Sequence, residues 1–214
     1  MSGRGMLLAG ALGISGLLYT LQGREHHEAP QYRIFGGPAA IWDIPAGPAL
    51  TASRPVRLQI PTASVDAGIA AMGDTADGGV QVPPFGRSHE AGWYEHSVMP
   101  GTRGSSVIVG HYDDDRGGAV FAKVGAIRRH DPIRVIRADG SVAHFQVDAL
   151  EQVSKALFPG RRVFGDVGYA GLRLVTCGGA FNRITRHFRD NVIIYAHLVR
   201  SSPPRQAGPR GSGR

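Results

Sequence analysis

The sequence predicts a mainly β fold, built as one closed or nearly closed antiparallel barrel with short helices. The chain of 214 residues can hold one domain of about 150 residues together with tails. Several short runs either alternate apolar and polar residues or are apolar throughout, as strands do. Closing many short strands into a barrel removes their exposed edges. The predicted strands are residues 56–60, 133–137, 142–147, 172–177 and 192–199.

The first predicted elements follow from residue spacing. Residues 56–60 alternate Val, Arg, Leu, Gln and Ile, which assigns one face of a strand to the core. Further along, four apolar side chains are spaced to share one face of one or two helical turns. They are Val120, Phe121, Val124 and Ile127.

The later elements are predicted from a turn and from apolar runs. Asp139 and Gly140 separate the second and third predicted strands, and this pair marks a hairpin because its tight turn needs a positive φ that glycine tolerates. The last two predicted strands are apolar runs of six and eight residues at 172–177 and 192–199. No internal repeat is present.

Residues 1–24 are predicted to be an export signal or a membrane anchor. After Arg4, the run 6–21 carries no charge, although a full membrane span needs roughly 20 apolar residues. An uncleaved anchor is favoured, because no clear small-x-small cleavage site follows the run. The flanking charges of Arg4 and Arg24 are nearly balanced and do not fix the orientation.

Two segments outside the predicted domain at 55–199 have the composition of linkers. Residues 25–54 are rich in Pro, Gly and Ala and are predicted to be a stalk, which the resemblance described below makes extracellular, with a short ordered piece around 41–44. Residues 200–214 form a basic tail that is predicted to be disordered. Because this tail carries four arginines of a net charge of +7 and no interleaved aromatic residues, no nucleic-acid partner is predicted.

Cys177 is the only cysteine of the chain. It ends an apolar run and precedes Gly178 and Gly179. A single cysteine in an exported protein is a buried apolar residue, an intermolecular link or a working thiol, since it has no partner for an internal disulfide. Its position between a strand and two glycines favours the working thiol.

His111 is the candidate partner of this thiol. A cysteine attacks a carbonyl carbon as its thiolate, so a nearby base or cation is required. His111 follows the strand-like run 107–109 and Gly110. An imidazole at this place can take the proton that Cys177 loses and later deliver one to a leaving amine. The other histidines are interpreted as structural or surface residues.

Several ordered blocks of the chain resemble the sortases, the cysteine transpeptidases of Gram-positive surfaces, and most of all the actinobacterial class F branch. The resemblance runs from about Pro55 to Val199. Its blocks are Arg57-Leu58-Gln59-Ile60-Pro61, Gly92-Trp93-Tyr94, Pro100-Gly101, Gly110-His111, Lys155 with Phe158-Pro159, residues 174–179 and residues 189–196. The resemblance implies an eight-stranded sortase barrel with Cys177 as nucleophile and His111 as general acid and base.

Arg189 is the residue that the resemblance assigns to oxyanion stabilisation, since a guanidinium is a permanently charged donor. It precedes the predicted last strand, as the arginine does in the family. In better-known sortases that arginine stands where this chain has Asn191, but residues 189 and 191 share a face of an extended strand. Arg183 and Arg186 are close enough in sequence to compete for the role.

The resemblance also implies substrates and a location. Secreted proteins would be cut after the threonine of a carboxyl-terminal sorting signal of the Leu-Pro-x-Thr-Gly type, and an amine of a peptidoglycan precursor would resolve the acyl-thioester. The domain would lie outside the cell, held at the membrane by the amino-terminal segment. The alternatives are a thiol hydrolase, another wall-peptide transpeptidase, or a catalytically silent wall-binding barrel with Cys177 buried.

No cofactor and no metal are predicted. The run Asp113-Asp114-Asp115 lacks the spaced ligands and the turn glycine of a calcium loop, and it is interpreted as a polar loop. A thiolate zinc site needs a second cysteine, and a phosphate-binding loop needs a glycine-rich motif with its lysine; the chain has neither.

Overall fold

The computed structural model describes residues 32, 34–37, 41, 43–113, 118–184 and 187–204. It confirms the mainly β fold and the closed eight-stranded barrel. One short α-helix, α1 (Gly160–Phe164), and four short 3₁₀-helices complete the described part. The strands are β1 (Pro55–Ile60), β2 (Val65–Met72), β3 (Ala91–Tyr94), β4 (Gly104–Val109), β5 (Pro132–Arg137), β6 (Val142–Ser154), β7 (Ala170–Asn182) and β8 (His187–Ser202).

The barrel is mixed rather than wholly antiparallel. Around the barrel the order is β1-β2-β3-β4-β7-β8-β6-β5, and β5 pairs with β1 to close it. The pairs β2·β3 and β4·β7 are parallel, whereas the others are antiparallel. The sequence prediction was wrong on this point, because hydrophobic alternation is the same for both strand directions and only the connections between strands set the direction.

The predicted hairpin is confirmed, but the strands at the carboxyl end are longer than predicted. Gly140 has a φ of 79° in the turn between β5 and β6. β8 begins at His187, five residues before the predicted start at 192. Arg189 therefore lies inside the last strand and does not precede it.

Two apolar clusters pack on opposite faces of β4, β7 and β8. Ile108, Leu174 and Ile194 belong to the larger cluster, which fills the barrel interior. Neighbouring residues such as Val109 and Ile193 belong to the smaller one, because successive side chains of a strand point to opposite faces. The smaller cluster, called here the outer cluster, therefore lies on the outside of the barrel. The four residues of the predicted helical turn, Val120, Phe121, Val124 and Ile127, are all buried, and a 3₁₀-helix forms at Val124–Ala126.

Parts of the predicted stalk pack against the barrel. Tyr32 and Ile41 are buried. Phe35 exchanges two backbone hydrogen bonds of 3.1 Å with Leu150 of β6, and the Tyr169 hydroxyl donates to the Ile41 carbonyl over 2.8 Å. The predicted anchor at 1–24 lies outside the described residues, as does the tail after residue 204. In the part of the chain that the structure does describe, no helix has the length and apolar character to cross a membrane.

Candidate active site

The parallel pairing of β4 with β7 brings His111 and Cys177 to the same end of the barrel. Val109 is paired with Val175, and each candidate residue stands two positions further along its chain. The ladder continues beyond β4, since the Gly110 N–H donates to the Val175 carbonyl over 3.2 Å. Neighbouring strands are about 4.8 Å apart, so the register places His111 and Cys177 at adjacent strand ends.

A buried side-chain contact ties these two strand ends together. The Thr176 hydroxyl donates to the Gly110 carbonyl over 2.8 Å. Both residues directly precede the candidate pair, and Thr176 is buried. The relative position of the His111 and Cys177 backbones is therefore fixed by the fold itself.

Cys177 is a free, half-buried thiol. It is accessible enough to meet a substrate, which differs from the fully buried cysteine expected of a silent barrel. The next residue must be small, because a Cβ on Gly178 would lie 2.6 Å from Val192 Cγ2 and 3.2 Å from Tyr32 Cε2. The glycine after Cys177 thus allows β7 to pack closely on β8 and on the amino-terminal segment.

His111 is held by the loop between β2 and β3. Its Nε2 lies 2.6 Å from the Pro83 carbonyl oxygen. The Phe85 ring stacks on the imidazole with centroids 4.5 Å apart and planes inclined by 23°. The imidazole is therefore fixed in direction as well as in place.

Arg189 is exposed, and a bulge separates it from Cys177. Asn191 is paired with Cys177 and Asp190 with Gly178, but the next pair is Phe188 with Phe181. Two residues of β7, at 179 and 180, therefore stand opposite Arg189 alone. Among the described residues the guanidinium makes no hydrogen bond or ion pair, so it is available to a bound anion.

The structure describes only one of the two competing arginines. Arg183 lies in the turn after β7, in an exposed position. Arg186 is outside the described residues. Asn191, by contrast, is directly opposite the thiol, and the sequence pattern marked it only as the position of the family's arginine.

Aromatic side chains that the sequence analysis missed lie beside Cys177. Tyr32 and Tyr112 meet edge to face at 6.3 Å, and Tyr112 meets Phe188 at 5.4 Å. Burial, reinforced by the nearby Tyr112 hydroxyl, raises the pKa of Tyr32. Burial also raises the pKa of Tyr112, so both phenols keep their protons and add no negative charge next to a thiolate. No sequence signal pointed to Tyr32, because it lies in a segment with the composition of a linker.

The connection between β6 and β7 packs on the outer cluster through Val163 and Phe158. Arg162 of α1 donates twice to the Glu151 carboxylate, over 3.0 and 2.8 Å. The Tyr195 hydroxyl donates to the same carboxylate. This clamp holds α1 on the outer cluster while Leu157, which is 77% exposed, and Phe164 present apolar surface to solvent.

Comparison of the chain with known proteins points to one family. The sortase domain model matches residues 58–199. No curated protein matches the chain.

Solved sortase structures share the fold. Sortase A from Corynebacterium diphtheriae superposes with a TM-score of 0.52 at 23% identity, over 73% of this chain and 64% of that one. The chain thus spans less than two thirds of that sortase. Sortase C of Streptococcus pneumoniae gives 0.54 at 16% identity, over 72% of each chain. The SrtA sortase from Actinomyces oris gives 0.55 at 18%, over 78% of this chain and 93% of that one. With its barrel and its matched domain, the chain belongs to the sortase family of cysteine transpeptidases.

Proposed function

We propose that the protein is a membrane-anchored sortase of the class F type, with Cys177, His111 and Arg189 as its catalytic residues. The observation that carries this proposal is the β4·β7 register, which aligns the residue two beyond Val109 with the residue two beyond Val175. A thiol and an imidazole on adjacent strand ends are the two groups that acyl transfer from a peptide bond requires.

The first half-reaction forms the acyl-enzyme. His111 takes the proton of Cys177, and the thiolate attacks the carbonyl carbon of the threonine in a sorting signal. The C–S bond forms, and the carbonyl electrons move to oxygen in a tetrahedral intermediate. When that intermediate collapses, the C–N bond breaks, and His111 gives its proton to the leaving amine.

The second half-reaction reverses these roles with a new amine. The amine of a peptidoglycan precursor attacks the thioester and loses a proton to His111, so a C–N bond forms while the C–S bond breaks. The thiolate that leaves recovers its proton from His111. No redox step or cofactor enters this cycle.

Arg189 supports the oxyanion. Its guanidinium is unpaired among the described residues and projects from the strand that holds the partner of Cys177. A cation that reaches the developing negative charge lowers the barrier most where water is excluded. The bulge opposite Arg189 bends the sheet locally, and such bulges re-aim the side chains beside them.

The substrate assignment is supported by exposed apolar side chains in the connection between β6 and β7. Leu157 and Phe164 are both exposed, and apolar residues of an extended Leu-Pro-x-Thr-Gly peptide would cover them. Sortase C of Streptococcus pneumoniae, one of the structural neighbours, is described in terms of pilin substrate specificity. For this chain we propose secreted proteins that end in a sorting signal, processed at the outer surface of the membrane.

The test uses the full chain with a labelled Leu-Pro-x-Thr-Gly peptide and a primary amine. We expect an acyl-enzyme detectable by mass spectrometry and an amine-linked product, and we expect both to be lost in Cys177→Ala. Release of the free acid alone, with the amine present, would favour a thiol hydrolase. If Cys177 of the folded protein fails to react with both the peptide and a small alkylating agent, the silent wall-binding barrel is the better description.

A further inference from the structure

The loop between β2 and β3 contacts the His111 imidazole at a defined nitrogen. The Pro83 carbonyl oxygen lies 2.6 Å from Nε2, and Phe85 covers one face of the ring. A carbonyl oxygen can only accept a hydrogen bond. The hydrogen of the neutral imidazole is therefore on Nε2, and the free lone pair is on Nδ1.

The carbonyl is held rigidly enough to act as an orienting group. Pro83 is buried, and its ring packs over Gly92 of β3, where a Cβ would lie 3.1 Å from Pro83 Cδ. The next residues form the 3₁₀-helix Phe85–Arg87. At the end of that turn the Ser88 carbonyl accepts from the Val120 N–H over 2.9 Å, which fastens the loop to the buried segment after His111.

We infer that the Pro83 carbonyl is the third, orienting member of the catalytic unit, with Phe85 as a positioning residue that keeps the imidazole against it. The inference rests on the proposed function, because it assigns a task to a group that acts through His111. Cys177, His111 and the Pro83 carbonyl would then act as a triad, in which the base is itself oriented by a third group.

Proton transfer then has a defined path. Nδ1 takes the thiol proton of Cys177 while Nε2–H stays bonded to Pro83, and the imidazolium donates from both nitrogens. Nδ1 next gives its proton to the leaving amine, which restores the starting tautomer. A neutral carbonyl stabilises the imidazolium less than a carboxylate would. The Pro83 carbonyl therefore orients the His111 ring more than it stabilises its positive charge.

The first measurement identifies the tautomer in the full chain. Histidine labelled with ¹⁵N distinguishes a protonated ring nitrogen from an unprotonated one, and His111→Gln assigns the signal among the nine histidines. With the imidazole neutral, we expect hydrogen on Nε2 in the wild type and a mixture of tautomers in Phe85→Ala. Phe85→Tyr keeps the stacked ring and should keep the wild-type tautomer.

The second measurement is kinetic. Phe85 is 67% exposed, so its removal leaves the core intact. Loss of one stacked pair predicts a fall in kcat for acylation of about two- to tenfold in Phe85→Ala, with KM unchanged and with rescue in Phe85→Tyr. Arg87→Ala is the matched control, because that side chain belongs to the same 3₁₀-helix but pairs with Glu90. It should change neither the tautomer nor kcat.

Three outcomes would overturn the inference. Hydrogen on Nδ1 in the wild type would remove the Pro83 bond. A change in KM alone would make Phe85 a substrate contact, and a rise in kcat would make the loop a cover over the site. Each of these outcomes is compatible with a catalytic role of His111. Full activity in His111→Gln would instead refute the proposed function, and the tautomer measurement would remain valid.

Discussion

The two strands that flank Cys177 hold their candidate partners in different ways. On one side, β4 is joined to β7 by an unbroken parallel ladder, a buried Thr176 hydrogen bond and a tethered His111. On the other side, the pairing of β8 is regular as far as Asp190 and then shifts, so that Arg189 is exposed opposite a bulge.

This difference agrees with the different requirements of a catalytic base and of an oxyanion donor. The base must be correctly placed before the substrate arrives, because thiolate formation begins the reaction. The oxyanion donor is needed only when negative charge develops, and it can approach with the substrate. We therefore expect the β4 side to be rigid in the free enzyme and the β8 side to become ordered on binding.

Loss of the proposed base, His111, should have the largest effect. We expect His111→Ala to reduce peptide cleavage almost to the level of Cys177→Ala, because both proton transfers depend on the imidazole. His89→Ala is the control, since it removes an exposed histidine from the neighbouring loop. Peptide turnover measured by chromatography checks this prediction. Comparable losses of turnover in His111→Ala and His89→Ala would contradict the distinction between the β4 side and the β8 side.

Loss of the proposed oxyanion donor, Arg189, should have the next largest effect. Arg189→Ala should cut acylation by about 10²-fold, the scale found for loss of a single oxyanion donor. Arg189→Lys should recover only part of it, because an ammonium lacks the planar donor fork. Arg183→Ala, in the exposed turn, should be mild. Single-turnover acylation rates test this prediction. If Arg189→Ala acylates at nearly the wild-type rate, another residue stabilises the oxyanion, and Asn191 is the first to test.

Disturbing the bulge should have a smaller effect than loss of Arg189. We expect the acylation rate to fall by about tenfold. Gly179 has a φ of 70°, and a Cβ there would overlap the Asp190 carboxylate beside Arg189. Gly179→Ala should therefore cost at least about 1 kcal/mol in the free energy of unfolding. Gly68→Ala on β2, where a Cβ meets open space, is the control. Urea titration and acylation rates measure both effects, and wild-type values for Gly179→Ala would show that the bulge is not needed.

The same contrast explains what the sequence could predict. The strand before Cys177 and the Gly110-His111 pair were evident because apolar runs and glycines report local backbone structure. Their closeness required the parallel register of β4 with β7, which depends on connections of many residues. The start of β8 was misplaced because residues 187–191 are polar, although they pair with β7 and β6.

Tyr32 shows a second limit of sequence patterns. It lies in a segment rich in Pro, Gly and Ala, and that composition is typical of linkers. In the structure Tyr32 is buried against Gly178 and Tyr112, so its role comes from tertiary contacts alone. The tethering of His111 by Pro83 was hidden for the same reason, since a backbone carbonyl leaves no trace in residue type.

The smallest effect on acylation should come from loss of the hydrogen bond between Thr176 and Gly110. Thr176→Val keeps the side-chain shape but leaves the Gly110 carbonyl without its buried donor, which should cost about 1–2 kcal/mol in the free energy of unfolding. Because that bond aligns the ends of β4 and β7, acylation should also fall severalfold, by less than in Gly179→Ala. Thr176→Ser keeps the hydroxyl and loses one buried methyl group, at about 0.8 kcal/mol. Thr176→Ser should thus be somewhat more stable than Thr176→Val and should acylate faster, and equal acylation rates would mean that the parallel ladder alone positions His111 relative to Cys177.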